Sequence, residues 1–273
     1  MNRKQKKSLT KKIVEWSRVH QFLNPEEEIV VIGMATKMIQ EVFPGKTSKK
    51  LLLSFAMGWI LIYVIDYFYD TLNIRLAWSV QNHKGGFAIT GDFTLTPRDR
   101  KKIQGLNQGI QSITKRFTSE QKKVFHSLIR KMLKGMDYEN AISRLEKKQH
   151  FFEYIEATKE TIGSKLLFSI VYYHYAEKRV AGLLDIENSC ARIARMINDI
   201  VSFSKEKREK KVNGVIILMA NGRTKKEAER YLREKISQEA REIKNILKYL
   251  RMPDLFKDFV LNFLTWLLKI YAK

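Results

Sequence analysis

The chain is poor in the residues that stiffen, loosen or cross-link a backbone. Its 273 residues include one cysteine, four prolines and thirteen glycines. A lone thiol, Cys190, forms no disulfide within the chain and builds no zinc cage by itself. The expected fold therefore does not depend on oxidation, and a reducing cytoplasm is the default setting. So few prolines and glycines exclude a collagen-like or linker-rich protein. The five histidines, His20, His83, His126, His150 and His174, lack a metal-binding spacing such as His-Glu-x-x-His. The apolar segment Leu51–Ile65 covers about fifteen residues, short of the roughly twenty that a bilayer needs, so no transmembrane segment is expected. The basic opening, Met1–Lys7, runs into a polar amphipathic stretch rather than the apolar core of a secretory leader. Residues 1–10 read as a basic, mobile tail.

Positive charge is abundant. Fifty-one Lys and Arg face twenty-nine Asp and Glu, a net charge of +22. Such an excess fits a polyanionic partner, and equally a lysine-rich solvated surface. The basic residues are scattered, with small clusters at Arg98–Lys102 and Lys205–Lys211, and no zinc-finger or RNA-recognition signature accompanies them. Nucleic acid is not expected as a partner, whereas a compact anionic substrate would be steered by the same field.

Helical signals run through nearly the whole chain. Asn24 ahead of Pro25-Glu26-Glu27-Glu28 reads as an N-cap, a proline in the first turn and acids at the positive helix end. That helix should reach about Val42 and stop at Pro44-Gly45. Ser48 precedes the apolar segment, Thr96-Pro97 opens another helix, and Ser119 another. Further helices are expected over Tyr138 to about Lys159, Ser164–Lys178 and Asp185 to about Lys210. Thr224 caps Lys225–Arg251, and Pro253 begins a last helix through Tyr271. Only His83–Thr96 lacks helical period, a loop with extended pieces at Phe87-Ala88-Ile89. The pattern predicts an all-α fold, a helical bundle in one domain over residues 1–273.

Two polar clusters interrupt this pattern. Asn198, Ser202 and Glu206 recur at i, i+4 and i+8, placing an amide oxygen, a hydroxyl and a carboxylate on one helix face. Three hard oxygens suit magnesium rather than zinc or copper. A polar stripe on a surface helix has the same spacing, and spacing does not choose between the two. Asp66 and Asp70 also share a face, as like charges that destabilise an isolated helix unless a cation bridges them. They close an apolar helix, which reads as the buried wall of a cavity with the acids at its rim.

Around these residues the chain resembles the class I terpene synthases of bacterial type. Asn198–Glu206, continued by Lys207-Arg208-Glu209 and Asn213–Leu218, is similar to that family's Asn/Ser/Glu metal motif. Thr224–Ala228 is similar to the start of the helix that follows it. Asp66 and Asp70 stand upstream where the family carries its aspartate-rich motif. The resemblance implies a helical bundle around an apolar cavity, three Mg²⁺ ions as cofactor, and a linear isoprenyl diphosphate as substrate. It implies metal ligation by Asp66, Asp70, Asn198, Ser202 and Glu206. The departing diphosphate is neutralised and the carbocation cyclises.

The match is incomplete in three places. Asp66 is not one of an adjacent aspartate pair. Lys159, four positions before Gly163, stands where the family has a diphosphate-sensing arginine, and it offers a point charge without the planar fork. Lys269-Ile270-Tyr271 is the nearest counterpart of a C-terminal Arg-Tyr pair. Lys205 matches a family lysine and is expected at the diphosphate. Arg195, three residues before Asn198, is read as sharing its face, with a solvated arginine as the alternative. Gly163 would expose a backbone carbonyl to the reacting end of the substrate, or simply connect two helices. Phe55, Trp59, Ile62, Tyr63, Phe263 and Trp266 are expected to line the cavity, or else to be core packing. A prenyltransferase of the same fold and a non-catalytic basic anion binder are the competing readings. A homodimer is compatible with the sequence.

Overall fold

A computed structural model describes residues 3–20, 22–43, 45, 47–72, 74–81, 86–91, 95–143 and 150–271. It forms two compact units, Met1–Leu133 with Leu166–Lys178, and Lys134–Lys165 with Arg179–Lys273.

In the first unit the order is α1 (Arg3–Val19), α2 (Pro25–Val42), α3 (Lys49–Asp70), the strands β1 (Leu76–Gln81) and β2 (Gly86–Gly91), α4 (Pro97–Thr114) and the first part of α5 (Ser119–Ile142), with most of α7 (Ser164–Tyr175). The local signals explain the starts. Asn24 and Glu27 form a reciprocal capping box on α2, and Ser48 and Thr96 cap α3 and α4 through their hydroxyls. Thr118 and Gln121 exchange the same pair of bonds at the start of α5.

Helix α3 packs on α1, α2, α4 and β1. It buries Leu51, Leu52, Phe55, Ala56, Ile60, Leu61, Val64, Ile65 and Phe68, which cover nearly its whole circumference, as expected for a core helix apolar on all sides. Each of these side chains larger than Ala56 contributes about 1.5–3 kcal/mol by leaving water. At 22 residues α3 is longer than the apolar run suggests, because it continues through Asp66 to Asp70. By length and composition alone it would cross a membrane, yet most of it is buried inside the protein.

The second unit holds the end of α5, α6 (Phe151–Thr158), α8 (Leu183–Arg208), α9 (Gly214–Ala220), α10 (Lys225–Tyr249) and α11 (Asp254–Tyr271). Helix α8 packs on α6, α9, α10 and α11. Helix α10 has a charged surface and a narrow buried stripe of Ala228, Leu232, Ile236, Ala240, Ile243 and Leu247. Helix α11 supplies Phe256, Phe259, Val260, Phe263, Leu264 and Leu267 to the core.

The structure corrects two expectations and adds detail to the rest. Residues 3–10 are not a tail but the start of α1, which buries Leu9, Ile13 and Ser17 at successive i+4 steps. The helix expected over Tyr138–Lys159 is two helices, α5 ending at Ile142 and α6 starting at Phe151. The extended pieces expected at Phe87-Ala88-Ile89 lie in β2, which pairs antiparallel with β1 from Leu76↔Gly91 to Gln81↔Gly86. Helix α9, capped by Asn213, was not anticipated. The hairpin aside, the fold is all-α, as the sequence predicts.

Candidate active site

Asn198, Ser202 and Glu206 lie on successive turns of α8, all half-buried. The Ser202 hydroxyl donates to the Asn198 carbonyl oxygen at 2.6 Å, the usual bond of a helical serine. Glu206 Oε2 accepts from Asn213 Nδ2 at 2.6 Å. Among the described residues neither the Asn198 amide oxygen nor Glu206 Oε1 has a hydrogen-bond partner. No group of three or more His, Cys, Asp or Glu side chains gathers as a metal site among the described residues. The donor set here is of another kind, two neutral oxygens and one carboxylate, which fits a hard cation that keeps water and takes oxygens from a substrate.

The neighbouring residue, Asp199, faces the interior. Its carboxylate accepts from the Tyr154 hydroxyl at 3.0 Å and the Gly214 amide at 3.1 Å, and pairs with Arg195 at 2.8 Å. Burial pushes Asp199 up to about 7, against the pull of Arg195. The Arg195 guanidinium also pairs with Glu139 at 2.9 Å and donates to the Tyr154 hydroxyl. Burial opposes its charge, but Asp199 and Glu139 outweigh that and hold its pKa well above the ordinary value.

Arg195 is therefore not a solvated arginine, the alternative that the sequence left open. The side chain is 2% exposed and its charge is already matched. At about 100° per residue, Arg195 sits roughly 40° from Asp199 and roughly 60° from Asn198 around the helix. The smaller angle wins, and the arginine follows the buried carboxylate.

Lys159 caps the end of α6, and Gly163, at φ 70, closes the break before α7. That left-handed conformation suits glycine. Lys159 is only 7% exposed, so it is not a solvated surface lysine. Its ammonium pairs with Glu156. Glu156 also meets Arg192 at 3.3 Å, and Arg192 grips Glu239 through two bonds of 2.6 and 2.9 Å. Partial burial would raise the Glu156 pKa, but Lys159 and Arg192 bring it below the usual carboxylate value. The sequence reading missed Glu156, although its i, i+3 spacing to Lys159 is visible.

Lys205 is exposed, with Glu209 at 4.0 Å. Two residues earlier on α8, the buried Phe203 is covered by Lys225 at 4.7 Å and Lys207 at 5.8 Å. On α11 the rings of Phe259, Phe263 and Trp266 form a row with centroids 6.0 and 5.9 Å apart, Phe263 buried and Trp266 half-buried. Lys269 is exposed, and the Tyr271 side chain lies outside the described residues.

In the first unit, Asp66 and Asp70 are exposed on the last turns of α3. Between them Tyr69 donates to the Leu76 carbonyl at 3.1 Å and accepts from its amide at 3.3 Å, which ties the helix end to β1. Lys102 lies 4.0 Å over the Tyr67 ring and 3.9 Å from Glu27, and burial lowers its pKa. Burial likewise raises Tyr63, with Glu27, Asp66 and Tyr67 adding to it. Phe55 is buried edge-on to Phe43 at 4.9 Å, while Trp59, Ile62 and Tyr63 are half-buried. No sequence signal singled out Lys102, a lysine in a basic cluster.

The same stretches carry the likeness to known proteins. Residues 59–242 match the family model of terpene synthase family 2, C-terminal metal binding. The fold is similar to linalool/nerolidol synthase from Streptomyces clavuligerus, at 12% identity over 96% of each chain with a TM-score of 0.73. It is similar also to 2-methylisoborneol synthase from Streptomyces coelicolor A3(2), solved in complex with Mg²⁺ and 2-fluoroneryl diphosphate, at 11% identity over 99% of this chain and 91% of that one, TM-score 0.74. Abietadiene synthase from Abies grandis aligns at 15% identity over 99% of this chain and 38% of that one, TM-score 0.76. No curated protein sequence is significantly similar. The structural likeness is one of fold, and the family match covers more than half of the sequence. The chain belongs to terpene synthase family 2.

Proposed function

We propose that this protein ionises a linear isoprenyl diphosphate, farnesyl or geranylgeranyl diphosphate, in a Mg²⁺-dependent reaction. It then cyclises the carbocation to a terpene hydrocarbon or alcohol, acting as a carbon–oxygen lyase that releases diphosphate. The observation that carries this reading is the oxygen face of α8, where Asn198 and Glu206 offer unengaged oxygens in line with Ser202. In this reading Asn198, Ser202 and Glu206 hold one Mg²⁺, and Asp66 and Asp70 serve the others of a set of three. Bound there, Mg²⁺ supplies Lewis-acid neutralisation of the leaving diphosphate. Support comes from the complexes of related folds, one with Mg²⁺ and 2-fluoroneryl diphosphate and one with 2-fluorogeranyl diphosphate.

The remaining roles fall to the side chains. Lys159, pre-positioned by Glu156 in a nearly dry setting, presents a point charge to the diphosphate, and Lys205 adds a second, exposed one. Gly163 turns the backbone between Lys159 and α7. Lys269 and Tyr271 close the list of diphosphate ligands. Phe55, Trp59, Ile62, Tyr63, Phe263 and Trp266 offer apolar surface and aromatic faces that favour a cation over water. Residues 1–273 then act as one catalytic domain, as a monomer or homodimer. Cys190 is fully buried, and burial raises its thiol well above the usual value, so no oxidising compartment is needed and the cytoplasm suits it.

The test is incubation with geranyl, farnesyl and geranylgeranyl diphosphate plus Mg²⁺, with mass analysis of the organic extract. A cyclic product from one chain length supports the reading. Products lengthened by an added prenyl unit would make it a prenyltransferase instead.

A further inference from the structure

We propose that Asn213 is a positioning residue for the Glu206 carboxylate, so that the α8–α9 connection holds a metal ligand in place as well as starting a helix. This rests on the reading of Glu206 as a metal ligand. Asn213 is fully buried. Its Oδ1 accepts from the Val215 amide at 2.8 Å, as the N-cap of α9. That contact fixes which end of the side-chain amide points back, because a backbone N–H accepts no hydrogen bond. Nδ2 is thus directed at two acceptors, Glu206 Oε2 at 2.6 Å and the Asp199 carbonyl at 2.8 Å. Flipped, the amide would set oxygen against oxygen twice and N–H against N–H once.

The position of Asn213 is itself locked. The next amide, from Gly214, donates to Asp199 Oδ2 at 3.1 Å. A Cβ at Gly214 would meet that oxygen at 2.6 Å and Phe151 at 3.2 Å, so the chain approaches α8 as closely as glycine permits. Asp199 cannot retreat, since Arg195 and Tyr154 hold its other oxygen. Glu206, by contrast, stands in the last turn of α8, where helix ends fray and where a carboxylate opposes the dipole. Nothing about helix stability calls for a glutamate there. A buried amide donor committed to it makes sense if one oxygen must be held while the other is presented.

Two variants separate positioning from capping. Asn213→Ser keeps a short oxygen that caps α9 but does not span the distance to Glu206. Asn213→Asp keeps the cap and replaces the donor by a like charge. The probe is Mn²⁺ added with inorganic diphosphate, followed by the electron paramagnetic resonance signal of free Mn²⁺, with melting curves alongside. The expected result is a rise of about tenfold in half-saturating Mn²⁺ for Asn213→Ser, and a larger rise for Asn213→Asp. Half-saturation within twofold of wild type in both variants overturns the inference, however the melting temperature moves. If the wild-type chain itself takes up no Mn²⁺ with diphosphate, the proposed function falls and this inference with it. Uptake by wild type with unchanged variants removes this inference alone.

Discussion

Arg195 reaches Asp199 across one turn of α8, Nη2 to Oδ1 at 2.8 Å, with both side chains buried and Glu139 on the far side of the guanidinium. The pair anchors the inner face of the helix whose outer face carries Asn198, Ser202 and Glu206. Removing one partner of a buried pair leaves the other charge uncompensated, at about 3–5 kcal/mol. Arg195→Ala is expected to lose that much stability in chemical denaturation. A loss under about 1 kcal/mol would mean that the pair is not an anchor.

Gly214 should tolerate no side chain. Gly214→Ala puts a methyl against a carboxylate held from three sides, and the expected cost is about 1–3 kcal/mol with reduced turnover. Unchanged melting temperature and turnover would show that the α8–α9 connection is looser than described.

For the outer face the expected signature is the reverse, activity lost with the fold kept. Asn198→Ala and Glu206→Ala should each lower turnover by about two orders of magnitude or more while far-ultraviolet circular dichroism stays the same. Asp66→Asn should impair ionisation more than Asp70→Asn. Near wild-type rates in Asn198→Ala and Glu206→Ala would remove this face from the reaction.

Lys159 should show a similar split. Its partner Glu156 is half exposed and keeps Arg192, so Lys159→Met is expected to cost about 1 kcal/mol or less in stability. Turnover should fall by about two orders of magnitude if the ammonium meets the diphosphate. A variant that loses stability but keeps its rate would make Lys159 a structural ion-pair member only.

The pH response has a definite sign at His126. Burial, with Lys122 and Arg130 adding, holds its folded pKa below 6.5. As pH falls, the unfolded chain takes up the proton first. The contribution to stability is therefore complete above pH 6.5 and is lost as pH falls through that value toward the lower folded pKa. His126→Gln should narrow the difference in melting temperature between pH 7.5 and 5.5. An unchanged difference would place that imidazole in water.

Much of this architecture was legible because its signals are local. Asn24, Thr96 and Thr224 each bond to a backbone amide three residues on, a contact set by the chain itself and visible in the residue types. The failures have a shared cause in contacts made at a distance. Leu9 and Ile13 form a readable stripe, yet the basic residues around them hid a helix that other helices cover. Seven residues of α9 are too few to show a period, and Asn213 beside an apolar run was its only cue. The oxygen face of α8 follows from spacing alone. The destination of Arg195 does not, because it depended on the buried Tyr154 of α6 and on Glu139 of α5.

The central claim is metal-dependent release of diphosphate from an isoprenyl substrate. The most direct measurement follows inorganic diphosphate liberated from farnesyl and geranylgeranyl diphosphate, with Mg²⁺ and with the metal chelated, in wild type and Glu206→Ala. Release that requires Mg²⁺ and collapses in the variant is the predicted result. No release from either substrate, or release that persists without metal, would contradict it.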